Sequence, residues 1–276
     1  MIKPRPGLER PENVAALERT LTAADPPLEG PFLAVGALLF MASAAGTIHW
    51  SRTMAGGMAM PGGWTLSMAW MPMPGETRLA AAAGFLTMWV AMMGAMMIPS
   101  LVPTLARDRP ALESPRPAPD PLAALGGAGA GYFAVWAVMG AGVYVVGTAL
   151  VASELRWPAL ATTILIARGV VLVVAGYVQL TPWKARHLGC CREGRPGAAR
   201  PGADWRRGIS LGVDCVLCCV PFMTLLVVTG MMNLAMIALT TLAITVERVA
   251  REPALVVRLA GLLLIGAGAL EIVRAV

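Results

Sequence analysis

The stretch Gly208-Ile-Ser-Leu-Gly-Val-Asp214-Cys215-Val-Leu-Cys218-Cys219-Val-Pro221-Phe-Met-Thr-Leu-Leu-Val-Val-Thr229 decides the fold. It is predominantly apolar and Asp214 is its one charged residue, and a helix of about 20 such residues crosses a hydrocarbon layer of about 30 Å. Three of the five cysteines of the chain fall inside it. The stretch therefore predicts a membrane-spanning helix that carries a cluster of thiols.

The composition extends this interpretation to the whole chain. Hydrophobic residues make up 57% and charged residues 14%, whereas soluble domains carry about 25% charge. We predict an all-α fold, a polytopic transmembrane helix bundle with about seven spans. The predicted spans are 31–50, 79–102, 122–152, 159–180, 208–229, 233–248 and 254–275.

The distribution of basic residues predicts the orientation. With the N-terminus inside, the inner segments hold 16 Lys and Arg and the outer segments hold 4, which agrees with the positive-inside rule and places the C-terminus outside. The net charge of +6 is then no sign of nucleic-acid binding. We expect a cytoplasmic tail at 1–30 and a single transmembrane domain at 31–276, with a Met-rich outer loop at 51–78 and a basic cytoplasmic loop at 181–207. Glu247 and Arg248 are expected at the inner border, in reach of water.

Methionine is concentrated in the outer loop and in the second span. Thioether sulfur is a soft ligand that suits Cu(I), although a loop dipping into lipid and ordinary helix packing are alternative explanations. In the second span, residues four apart lie on one helical face. The soft-metal candidates of this region are Met58, Met60, Met71 and Met73 in the loop, Met92 and Met96 in the span, and His49 at the outer end of the first span.

The cysteines form the second candidate site. Cys215, Cys218 and Cys219 can share one face of a helix, and His187, Cys190 and Cys191 lie a short way upstream. A site for zinc, a thiol–disulfide exchange site and purely structural thiols are alternatives. Cu(I) is favoured over zinc because it accounts for both the thiols and the thioethers, and the reducing side assigned to the cysteines argues against disulfides.

Five sequence features resemble a bacterial family described as predicted metal-binding integral membrane proteins. They are the run Met68-Ala-Trp70-Met71-Pro-Met73-Pro-Gly75, the run Met88-Trp89-Val-Ala-Met92-Met93-Gly-Ala-Met96-Met97-Ile-Pro99-Ser100, the exit Gln179-Leu-Thr181-Pro182-Trp-Lys184, the cluster Cys215-x-x-Cys218-Cys219 and the turn Gly230-Met-Met232-Asn233. One feature departs from the family pattern: His187-Leu-Gly-Cys190-Cys191 stands where relatives carry Cys-Leu-x-x-Cys.

The resemblance implies a role in copper handling, since some members of that family are implicated in supplying copper to oxidases. The leading hypothesis is a non-enzymatic copper chaperone or transfer protein of the bacterial inner membrane, surrounded by lipid, with a cuproenzyme or a small copper-binding protein as partner. A membrane thiol–disulfide oxidoreductase and a structural subunit of a membrane complex are the alternatives. An ion pair between Arg168 and Asp214 is left open, as is the oligomeric state.

Overall fold

The computed structural model describes residues 30–54, 57–59, 65–70, 75–107, 121–193 and 204–275. Nearly all of this part of the chain is helical, which confirms the predicted all-α class. The helices are α1 (Gly30–Thr53), α2 (Arg78–Arg107), α3 (Pro121–Arg156), α4 (Pro158–Gln179), α5 (Pro182–Glu193), α6 (Asp204–Thr229), α7 (Leu234–Val249) and α8 (Pro253–Ala275). Between α1 and α2, β1 (Gly57–Ala59) pairs antiparallel with β2 (Thr65–Ser67), and a single 3-10 turn follows at Met68–Trp70.

Every predicted span corresponds to a helix, but the helices differ in length. Within the described ranges, five are long and apolar enough to cross a membrane: Leu33–Thr53, Arg78–Val102, Gly126–Arg156, Trp205–Thr229 and Pro253–Ala275. A sixth is obtained if Thr163–Gln179 and Pro182–Arg192, which meet at an angle of 65°, form one broken span. Helix α7 has only 16 residues, about 24 Å at 1.5 Å per residue. The count of seven and the orientation stay predictions.

Glycine lets helices α4 and α8 approach closely. Along the contact between α4 and α8, a Cβ on Gly176 would lie 2.7 Å from the Gly261 carbonyl oxygen, and one on Gly169 would lie 2.7 Å from that of Gly268. Both pairs are separated by two helical turns, so they form one continuous seam. Backbone contact through small residues is typical of helix packing in membranes, where no hydrophobic force brings helices together.

The turn between α6 and α7 returns the chain toward the cysteines. Gly230 has a φ of +111°, a left-handed conformation that costs glycine little. Asn233 then caps α7, since its side-chain oxygen accepts hydrogen bonds from the backbone nitrogens of Ala235 at 3.0 Å and Met236 at 3.3 Å. This turn directs the C-terminal end of α7, with Glu247 and Arg248, back beside the first half of α6.

The core of the bundle is rich in sulfur and tryptophan. All five methionines of α2 between 88 and 97 are buried, and the Trp89 indole donates a 2.9 Å hydrogen bond to the Trp136 carbonyl on α3. The prediction that Glu247 reaches water is wrong, whereas Arg248 is partly exposed. Glu247 is 1% exposed, and the half-buried Arg248 turns its guanidinium inward, because α7 packs against α2 and α6 at this depth.

Candidate metal centre

The helix is interrupted between α4 and α5, and the change of direction places Cys191 of α5 near the thiols of α6. Helix α4 ends at Gln179, before Pro182, because the residue preceding a proline is held away from the helical region. Helix α5 then starts with Pro182 at its first position, where no backbone donor is lost, and packs against α6. The expected basic loop at 181–207 is therefore a helix from 182 to 193, and residues 194–203 lie outside the described part.

Four of the five cysteines meet in one buried cluster. Cys215 and Cys219, one turn apart on α6, have their sulfurs 3.9 Å from each other. Cys191 and Cys218 belong to the same buried core, where Cys191 lies near Cys215 and Cys218 and Cys218 lies near Cys219. We call Cys191, Cys215, Cys218 and Cys219 the thiol cluster. Each α6 member is 1% exposed and Cys191 is 6% exposed, and all four thiols are free.

A thioether completes the sulfur environment. The Met97 Sδ lies 3.8 Å from the Cys215 Sγ, so one buried methionine of α2 meets the cluster. Met92 and Met96, the stripe proposed from sequence, are also buried in the same core, but no contact joins them to a cysteine sulfur. The spacing within α2 identified the helical faces, whereas only the tertiary packing decides which face meets the cysteines.

Two polar side chains that the sequence did not single out contact the cluster. The Arg248 Nη2 lies 2.7 Å from the Cys215 Sγ and 3.5 Å from the Cys219 Sγ, while its Nη1 donates to the Ser100 hydroxyl at 2.6 Å. From α3, the Tyr132 hydroxyl lies 2.9 Å from the Cys215 Sγ. A guanidinium and a phenol at these distances favour negative charge on sulfur.

A second polar group holds the backbone beside the thiols. The fully buried Lys184 on α5 places its Nζ 2.8 Å from the Glu247 Oε2 and donates to the Cys218 carbonyl at 2.6 Å. Gln179 donates its amide to the other oxygen of Glu247. The Cys218 carbonyl lies next to that of Leu217, whose helical partner is missing because Pro221 has no backbone N–H. This network ties α4, α5 and α7 to α6 at the level of the cluster.

His187 and Cys190 lie apart from these sulfurs. The His187 Nδ1 is 3.4 Å from the Asp214 Oδ1, and its ring packs edge-on against Trp183. Asp214 thus faces α5, and the ion pair suggested with Arg168 is not among its described contacts. Cys190 is half-buried and makes no described contact with the thiol cluster.

The outer candidates are only partly described. His49 is exposed at the end of α1. The Met58 backbone belongs to β1, but its side chain lies outside the described residues, as do Met60, Met71, Met73 and the tail at 1–29. Met54 and Trp70, which flank the described part of this loop, pack against the same buried core as the thiol cluster.

The cluster has the chemistry of a soft-metal site. Thiolate and thioether donors select Cu(I), which accepts few ligands. No group of three or more His, Cys, Asp or Glu side chains within the described ranges is already arranged around a metal position. The closest sulfurs are those of Cys215, Cys219 and Met97, two thiols and one thioether.

A comparison with protein families identifies this arrangement. The family described as "PpoB2: Copper chaperone" matches residues 86–271. The chain belongs to this copper chaperone family. The matched region contains Met97 and every residue of the thiol cluster, and it leaves out His49 and the Met-rich loop. No curated protein and no solved structure matches the chain.

Membership in the copper chaperone family confirms the copper-delivery family suggested by the sequence motifs. It implies copper binding and a copper-using partner, and it suggests a non-catalytic role. The sequence reasoning identified the cysteines because they are concentrated within 30 residues. It missed Arg248, Tyr132 and Lys184, although an unusual run of thiols in an apolar helix is itself a signal to look for nearby cations.

Proposed function

We propose that this copper chaperone binds Cu(I) at the thiol cluster, within the bacterial inner membrane, and passes it to a cuproenzyme or a small copper-binding protein. The observation that carries the proposal is the contact between Cys215 and Cys219 at 3.9 Å, with the Met97 thioether 3.8 Å from Cys215. Cys191 and Cys218 supply further thiols in the same buried core. A thioether among the closest donors favours Cu(I), because zinc is bound by thiolate, imidazole and carboxylate ligands.

The membrane location is supported by the outward-facing residues of the helices. Large apolar side chains are exposed along α3 and α8, among them Val138, Val145, Leu259 and Leu263, as expected where helices contact lipid. We propose seven spans with the N-terminus in the cytoplasm and the C-terminus outside, in one transmembrane domain at 31–276 after a cytoplasmic tail at 1–30. The excess of Lys and Arg in the inner segments supports this orientation.

The methionines provide a route toward the cluster. We propose that Met58, Met60, Met71 and Met73, with His49, collect copper on the outer side, and that buried methionines of α2 carry it inward. The methionines of α2 proposed for this route are Met92, Met96 and Met97. Thioethers suit an oxidising exterior because they bind Cu(I) without deprotonation and form no disulfides.

Copper content of the purified protein tests the site. We expect wild type to hold about one Cu(I) per chain under reducing conditions, and the variant Cys215→Ser/Cys218→Ser/Cys219→Ser to lose it. Cys190→Ser is the matched control, since this thiol lies outside the cluster. If wild type binds no more copper than the triple variant, the proposed site is wrong.

The proximity of Cys191 to Cys215 and Cys218 in the buried core makes thiol–disulfide exchange the second candidate function. Thiol trapping in intact cells separates the two. A chaperone keeps these thiols free, whereas an oxidoreductase interconverts a Cys191–Cys215 or Cys191–Cys218 disulfide. A disulfide that turns over with the redox state of the cell would favour the oxidoreductase.

A further inference from the structure

A single guanidinium directly contacts two sulfurs of the thiol cluster. The same Arg248 Nη2 lies 2.7 Å from the Cys215 Sγ and 3.5 Å from the Cys219 Sγ. The Arg248 Nη1 donates a 2.6 Å hydrogen bond to the Ser100 hydroxyl, so the guanidinium has a fixed orientation. An ion bonded to both sulfurs would therefore lie next to this positive charge.

The other charged groups nearby are paired with each other, although Lys184 and Glu247 also lie within electrostatic reach of Cys218. Glu247 is paired with Lys184, and Asp214 faces His187. In the described part of the chain, Arg248 forms no ion pair with a carboxylate. Its positive charge is therefore available to balance charge that develops on the sulfurs.

We propose that Arg248 determines specificity by making the thiol cluster select a monovalent soft cation over a divalent one. The inference rests on the proposed copper site. Two thiols lose their protons to solvent when they bind metal. With a monovalent ion, the two thiolates and the metal carry one net negative charge, which the guanidinium balances.

A divalent ion changes this balance. The metal and two thiolates are then neutral, and Arg248 is left without a counter-charge while facing an ion with one more positive charge. Charge is poorly screened in the buried, apolar interior, where unbalanced ions are costly. For the same two thiolate ligands, this extra repulsion follows from the difference in metal charge.

Competitive titration of the purified full-length protein in detergent tests the proposal. Ag(I) serves as the monovalent soft probe and Cd(II) as the divalent one, and the measured quantity is the ratio of their affinities. We expect Arg248→Gln to lower the preference for Ag(I) by at least about tenfold, and Arg248→Lys to keep most of it. Arg258→Gln is the matched control, because Arg258 is exposed on α8.

A second variant tests the same charge without removing the arginine. In Ser100→Asp, a carboxylate would replace the hydroxyl that holds Nη1, and it would neutralise the guanidinium in place. We expect the preference for Ag(I) to fall here as well, which keeps the proposal testable if Arg248→Gln does not fold.

The outcomes distinguish this inference from the proposed function. A purely structural Arg248 would lower the affinities for Ag(I) and Cd(II) by the same factor, and that result, or an unchanged ratio in Ser100→Asp, would overturn the charge selection while leaving the copper site standing. If the wild-type cysteines bind neither ion, the proposed function itself fails.

Discussion

The buried ion pair between Lys184 and Glu247 gives the sharpest test of how the bundle is held together. Lys184 is fully buried, and its Nζ contacts the Glu247 Oε2 at 2.8 Å and the Cys218 carbonyl at 2.6 Å. The substitution Lys184→Met keeps the length of the side chain but removes the charge. Glu247 would then remain 1% exposed, with only the Gln179 amide as a described partner for its carboxylate.

The expected loss of stability is large. Removing one partner of a buried ion pair costs about 3–5 kcal/mol, because an uncompensated charge stays behind. A loss of 1 kcal/mol lowers the melting temperature by about 2–4 °C in proteins of 150–250 residues, so Lys184→Met should melt roughly 6–20 °C below wild type. The double variant Lys184→Met/Glu247→Gln leaves no buried charge and should recover most of that loss.

Thermal unfolding in detergent, followed by fluorescence-detected size exclusion, measures these shifts. Arg186→Met is the matched control, because Arg186 is exposed on the same helix and surface substitutions change stability by about 0.5 kcal/mol or less. The reasoning is refuted if Lys184→Met melts with the control. It is also refuted if the double variant loses as much as the two single variants together, since the pair would then not be coupled.

Two further predictions concern packing and copper affinity. In Gly208→Ala the new Cβ would lie 2.0 Å from the Ala128 carbonyl oxygen, so α3 and α6 must separate at a cost of about 1–3 kcal/mol. The control Gly126→Ala, whose Cβ meets nothing within 4 Å, should melt like wild type. Equal melting temperatures for the two variants would contradict the tight contact. Met97→Ile removes the thioether next to Cys215 and should weaken Cu(I) binding at least about tenfold, measured in competition with a Cu(I) chelator. The control Met88→Ile, at a residue that is also buried on α2, should bind Cu(I) like wild type. Equal affinities of the two variants would exclude Met97 as a ligand.

The helices were predictable because their signals are local. Runs of about 20 apolar residues predict spans without reference to any other part of the chain. The predicted span 233–248 was already as short as the helix α7 that the structure contains. The break before Pro182 is also local, since proline restricts the residue before it. The 65° angle between α4 and α5 was not predictable, because it depends on how α5 packs against α6.

The site was only half predictable for the same reason. Cys215 and Cys219 lie together by helical spacing alone, and the sequence placed them correctly on one face. Arg248 and Glu247 appeared to be interfacial because a helix end usually reaches water. Their burial results from α7 packing against α2 and α6, a tertiary relation that no pattern within α7 encodes.

The depth of the thiol cluster has a kinetic consequence. With Cys215, Cys218 and Cys219 each 1% exposed, a ligand from another protein cannot touch the sulfurs in this arrangement. Direct exchange of copper with a partner therefore requires local opening of the helices, and the exchange rate is limited by how often that opening occurs. The Lys184–Glu247 pair joins two of the helices that would have to separate, so the proposed function predicts that weakening this pair shortens the residence time of the metal as well as lowering the melting temperature.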